Sequence, residues 1–166
     1  MATILVEGGT LGSAAHAPSA FFAKRAMKQC VEMASPVTRS DLEQLLSKAV
    51  FNQGYGLSLH SHGDGECTLA VPFRPEFLRP GGIVGGPIFM AAADVAMWLA
   101  IATRIGTEED CVTVEMKTNF LSAAREEFRC TARVLKLGKR IVYGTAECAT
   151  REGKLLTHHT LTYIRP

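Results

Sequence analysis

The sequence predicts an α+β fold in which one long central helix is wrapped by a curved antiparallel sheet of five to six strands. Three observations carry that expectation. The run "IFMAAADVAMWLAIA", Ile88 to Ala102, is apolar all round apart from Asp94, so a helix built from it belongs inside a domain. After it come four strand-like runs, "CVTVEMKTNFL", "EEFRCTARVLKL", "RIVYGTAECAT" and "KLLTHHTLTYI". The turns between them, "SAAR", "GK" and "REG", are too short for parallel crossovers, so these strands must run antiparallel.

The elements follow in order. Residues 1–35 begin with Gly, Ala, Ser and Thr and continue into the basic patch "FFAKRAMKQCVEMA"; they read as a flexible or loosely docked arm, or as an organellar presequence. Residues 36–166 read as a single domain. "SPVTRSDLEQLLSKAVFN" predicts a helix capped by Thr38 or Ser40, with Leu42, Leu45, Leu46 and Val50 on one stripe. "YGLSLHSHGDGECTLAVPFR" predicts a hairpin in which Gly63 and Gly65 supply the turn. Later, Val112, Val114, Met116, Thr118 and Phe120 alternate with Thr113, Glu115, Lys117 and Asn119, and Phe128, Cys130, Ala132 and Val134 alternate with polar residues. One face of the sheet is therefore wet and the other covers the helix.

Composition excludes several classes. The chain has 166 residues, 47% hydrophobic and 20% charged, which suits one globular core. A net charge of +2 with no long Lys/Arg run argues against a nucleic-acid partner. Five scattered cysteines without a C-x-x-C pair read as buried small hydrophobes in a reducing compartment, and no metal site is expected. The fifteen-residue apolar run falls short of the roughly 20 needed to span a bilayer, so no membrane span and a cytoplasmic location are expected.

The chemistry concentrates around the central helix. Pro80, Gly81, Gly82, Gly85, Gly86 and Pro87 crowd its start. Pro87 opens it with Gly86 as cap, leaving bare N–H groups and the positive end of the helix dipole to meet an oxygen gaining negative charge, as in an ester or thioester. Asp94 follows two turns later among Ala91, Ala92, Ala93 and Ala96. A carboxylate there is costly unless paired, so it marks either a site or a structural hydrogen bond.

These residues resemble a known family. "PGGIVGGPIFMAAADVAMWLA", "VTVEMKTNFL" and "RVLKLGKRIVYGTAEC" are similar to the hot-dog acyl-CoA thioesterases of the phenylacetate-degradation type. The resemblance, over about Leu57 to Ile164, implies that Gly86 polarises the thioester carbonyl. It gives Asp94 the part of base or nucleophile across a dimer interface, and Thr113 that of placing the water. Many members have His-Gly-Gly where this chain has Gly85, Gly86 and Pro87, and Arg79 stands where an asparagine is frequent. Arg79, Lys136, Lys139 and Arg140 would hold the phosphates of coenzyme A, and Gly85, Ile88, Phe89 and Trp98 would line the acyl path. The last four also suit plain packing, and the hairpin cations a solvated tip. The expected activity is hydrolysis of a short, medium or aromatic acyl-CoA, with coenzyme A as part of the substrate, no separate cofactor, and a homodimer or dimer of dimers. The alternatives are a non-catalytic acyl-CoA binding module and a hot-dog dehydratase or hydratase; the latter usually needs a histidine near the helix.

Overall fold

The computed structural model describes residues 37–165; the arm expected over residues 1–35 and Cys30 lie outside them. Helix α1 (Arg39–Lys48) starts at Thr38, whose hydroxyl accepts from the Asp41 N–H while the Asp41 carboxylate accepts from the Thr38 N–H. This reciprocal cap satisfies two donors that a helix start leaves free. Leu42 and Leu46 are buried, but Val50 lies beyond the helix end and is 75% exposed, so the expected stripe is one residue shorter. The four-residue α2 (Asn52–Tyr55) follows and is closed by Gly56.

The remaining elements are β1 (Ser58–Gly63), β2 (Glu66–Val71), β3 (Leu78–Arg79), β4 (Ile83–Val84), α3 (Gly86–Ile105), β5 (Val112–Phe120), β6 (Phe128–Leu137), β7 (Ile141–Ala149) and β8 (Leu155–Ile164). The sheet order is β1-β2-β6-β7-β8-β5, and every neighbouring pair is antiparallel. β3 and β4 form a separate ribbon, too short to show any periodicity in sequence. At the first hairpin only Gly65 takes a positive φ.

Helix α3 lies against the concave face of the sheet and buries Phe89, Ala92, Ala96, Met97, Ala100 and Ile101 there. It runs for 20 residues, longer than the apolar run suggests, and by length and composition alone it could cross a membrane; 56% of that window is buried inside this domain. Small residues bring helix and sheet close: a Cβ on Gly144 of β7 would stand 2.5 Å from the Met97 methyl. From β6, Phe128, Cys130, Ala132 and Val134 are all buried, as their alternation predicts. Together these elements form the hot-dog fold.

Strand β5 departs from its predicted alternation. Thr113 pairs with Tyr163 and Glu115 with Thr162, which leaves Val114 surplus in a bulge. An extra residue reverses the facing of everything before it. Thr113 therefore turns inward with Met116 and Thr118, while Val114 is 60% exposed. The two sheet edges also differ. Along β1, the Arg39 guanidinium donates to the carbonyls of Leu59 (2.6 Å) and His60 (3.1 Å). Along β5, no such cover exists among the described residues, and Val112, Val114 and Phe120 stand more than half exposed.

Candidate active site

The start of α3 leaves the Gly86 backbone donor without an acceptor among the described residues. Gly85, not Gly86, is the cap: its N–H donates to the Phe77 carbonyl (2.8 Å) and its own carbonyl accepts from the Ile88 N–H (3.1 Å). Pro87 has no N–H. Gly86 is thus the first helical residue, and its N–H meets no acceptor among the described residues. The ring of Phe120, from the far end of β5, lies over it; a Cβ on Gly86 would be 3.1 Å from the ring. Gly86 opens into a cavity of about 420 Å³ walled by Arg79, Val84, Phe89, Phe120 and Ser122. Phe89 meets Phe120 edge-on and stacks on the buried Phe128 at 4.7 Å, so the inner wall is a fixed aromatic column.

Asp94 stands half-buried on the same helix and opens into a different cavity, of about 160 Å³, beside Trp98, Cys111, Thr113 and Tyr163. The Thr113 hydroxyl, aimed inward by the bulge, donates to Oδ1 at 2.7 Å. The Tyr163 hydroxyl donates to the same Oδ1 at 2.6 Å and reaches the Asp94 carbonyl at 2.8 Å. One carboxylate oxygen is therefore held by two hydroxyls, while Oδ2 has no side-chain partner among the described residues. Burial pushes the Tyr163 phenol well above its ordinary range, and the Asp94 charge pushes it further, so it keeps its proton and remains a donor. Burial likewise raises the neighbouring Cys111 thiol to about 11, with help from Asp110, which keeps it protonated.

Of the residues expected from sequence, Thr113 meets Asp94 while Gly86 opens into a separate cavity; Tyr163 and the closeness of Phe120 to Gly86 were not expected. Tyr163 lies 69 residues from Asp94, and only the strand register joins them. Of the other expected residues, Phe89 and Arg79 share the Gly86 cavity and Trp98 the Asp94 cavity. Ile88 packs against the core and lines neither, and the Gly85 N–H is already spent. Lys136, Lys139 and Arg140 are exposed around the β6–β7 turn. The row Val112–Ile164–Ile141 places that turn at the Thr113 end of the sheet. Arg165 braces it, donating from its backbone to the Arg140 carbonyl (2.8 Å) and from its guanidinium to the Gly138 carbonyl (3.3 Å) and the Glu109 carboxylate (2.8 Å).

Comparison with known proteins identifies the family. Residues 81–157 match the thioesterase superfamily, and a protein of Thermoplasma volcanium named "Putative esterase TV1331" is 33% identical over 105 residues, covering 63% of this chain and 78% of its own length. The chain belongs to the thioesterase superfamily. A second relative, "Putative esterase SSO2140" of Saccharolobus solfataricus, is 34% identical over 92 residues; the match covers 55% of this chain and 65% of that protein. Among solved structures, conserved protein PA5202 from Pseudomonas aeruginosa superposes with a TM-score of 0.68 at 30% identity, covering 71% of this chain and 94% of that one. The superfamily match contains Gly86, Asp94 and Thr113 but stops short of Tyr163, and it begins after Arg79.

Proposed function

We propose that this chain hydrolyses an acyl-CoA thioester, and that each site joins Gly86 of one subunit to Asp94 of its partner. The observation that carries this reading is the placement of the two groups. They are eight residues apart on one helix, about 12 Å along its axis, and they open into separate cavities. Reacting atoms must come within about 3.5 Å. One chain cannot bring both to one carbonyl.

Strand β5 supplies the way to unite them. Its C-terminal residue Phe120 lies on Gly86 and its second residue, Thr113, holds Asp94. If the uncovered edge pairs antiparallel with its own copy about a two-fold near Met116 and Lys117, Thr113 falls opposite the partner subunit's Phe120. The Asp94 carboxylate then faces the partner subunit's Gly86 N–H. Exposed Val112 and Val114 give such a seam apolar area.

In that site the Gly86 N–H and the helix dipole stabilise the oxygen as it becomes an oxyanion. Asp94, with Oδ1 tethered by Thr113 and Tyr163, presents Oδ2. As a base it takes a proton from water, and the resulting hydroxide adds to the carbonyl carbon. As a nucleophile it adds directly, and water then hydrolyses the mixed anhydride. On either route the C–S bond breaks and the CoA thiolate is protonated. Lys136, Lys139 and Arg140 take the CoA phosphates at the end of the sheet where Thr113 and Asp94 lie. The acyl group lies against Phe89 in the Gly86 cavity, which suits short, medium or aromatic acyl chains of the kind handled by phenylacetate-degradation enzymes, and Trp98 stands beside Asp94 in the other cavity. Cytoplasmic location and a dimer of dimers complete the proposal.

The test is release of free thiol from a panel of acyl-CoAs by wild type and Asp94→Ala. Turnover by wild type that falls by about 10²-fold or more in the variant supports the mechanism. Binding without any turnover would instead make the chain a non-catalytic acyl-CoA module, and equal activity of the two proteins would remove Asp94 from the mechanism.

A further inference from the structure

The cavity at Gly86 has one charged residue in its lining, Arg79, and no carboxylate. Arg79 forms no ion pair and no side-chain hydrogen bond among the described residues, although Arg39, Arg104, Arg133, Arg151 and Arg165 all have acidic partners. Its backbone is fixed: it pairs with Ile83, and its carbonyl accepts from the Gly82 N–H at 3.2 Å. The turn that follows is pinned by Arg125, whose guanidinium donates to the carbonyls of Gly81 (2.8 Å) and Gly82 (3.4 Å). Ser122, which lines the same cavity, has its N–H committed to the Leu156 carbonyl (3.0 Å), and its hydroxyl has no partner among the described residues.

The rest of the lining is apolar, with Ile83, Val84 and Leu121 beside the aromatic pair. The Phe89–Phe128 stack closes the way into the core. An acyl chain whose carbonyl sits at Gly86 cannot run inward, and a short one runs instead along the apolar walls toward Arg79 and Ser122. A free guanidinium presents a planar fork of donors that fits a carboxylate bidentately. The CoA phosphates have a separate set of three cations on the β6–β7 turn, so Arg79 is not needed for them.

We infer that the acyl group of the substrate ends in a carboxylate, read by Arg79 with Ser122, so that the preferred thioesters are those of short dicarboxylic acids. This rests on the thioesterase reading above. The discriminating pair is glutaryl-CoA and 5-methylhexanoyl-CoA, which share the coenzyme and the chain and differ in a terminal carboxylate against an isopropyl group of similar shape. Wild type should favour glutaryl-CoA in kcat/KM, and Arg79→Gln should lower the glutaryl-to-methylhexanoyl ratio by roughly 3- to 10-fold, the worth of a charge-assisted pair whose arginine is itself exposed. Arg79→Lys should keep part of that preference.

A wild type that favours the neutral thioester overturns the inference. So does an Arg79→Gln variant that loses both substrates equally, because that loss would place Arg79 on the coenzyme or on the reaction itself. Calorimetric titration of the same two thioesters runs in parallel. If neither they nor the wider panel is hydrolysed, the thioesterase reading fails, while the ratio of the two affinities and its change in Arg79→Gln still decides what Arg79 reads.

Discussion

A site shared between two chains makes a numerical prediction about mixed dimers. Gly86→Pro removes the free Gly86 N–H at the start of α3; because Pro87 follows and disfavours a helical residue with a Cβ before it, far-UV circular dichroism of the variant confirms folding before the assay. The preceding Gly85 is extended (φ −70°, ψ 145°), as a residue before proline must be, and proline is favoured at a first helical position. Beyond its chain neighbours, an added Cβ meets the ring of Phe120, which is 56% exposed in one chain. Asp94→Ala removes the carboxylate. Each variant alone should be nearly inactive, since losing an oxyanion donor costs about 10²- to 10³-fold. When the two chains are mixed by unfolding and refolding together, about half of the dimers are mixed. Each mixed dimer carries both defects in one site and neither in the other, so its activity is about half that of wild type. The mixture should then recover about one quarter of wild-type turnover. The assay is free-thiol release, with mixed dimers isolated through two different affinity tags. If isolated mixed dimers are as inactive as the parents, Gly86 and Asp94 do not cooperate across the interface.

The remaining predictions concern the groups around that site. Tyr163→Phe removes one of two donors to Asp94 Oδ1, and it should lower kcat by about tenfold with KM little changed, as expected for a positioning hydrogen bond to a charged group; a change in KM alone would assign Tyr163 to packing. The pH dependence of stability should include the Arg165 brace. Hydrogen bonding to Arg165 holds the Glu109 carboxyl below its ordinary range, so its contribution is complete above the ordinary glutamate pKa and is lost as pH falls through the folded value. Because the pair is partly exposed, the contribution is under about 1 kcal/mol. Glu109→Gln should lower the urea midpoint at pH 7 and leave it close to wild type at pH 3; an equal offset at both values would show that the charge plays no part.

Much of the fold was legible in the sequence because it depends on local pattern. The unbroken apolar run could only be a buried helix, and the short turns after it could only join antiparallel strands. The glycines before Pro87 and the lone Asp94 marked the two halves of the proposed site for the same reason: each conflicts with its surroundings. What escaped depends on register. The alternation of β5 placed Thr113 on the wet face, and only the bulge at Val114, set by how β5 meets β8, turns its hydroxyl onto Asp94. Tyr163 looks in sequence like one more apolar residue of the last strand. Its role appears only when Thr113 is found beside it, in the same cross-strand pair.

The unequal edges of the sheet set a limit on assembly. A sheet with two open edges can add copies on both sides without end, which is how fibres grow. Here the Arg39 guanidinium occupies carbonyls of β1, and among the described residues only β5 offers unmet backbone groups along an exposed apolar strand. Edge pairing through β5 uses up that edge in both copies at once. On the proposed pairing, growth along the sheet would stop at two chains, and a larger assembly would have to form through some other surface.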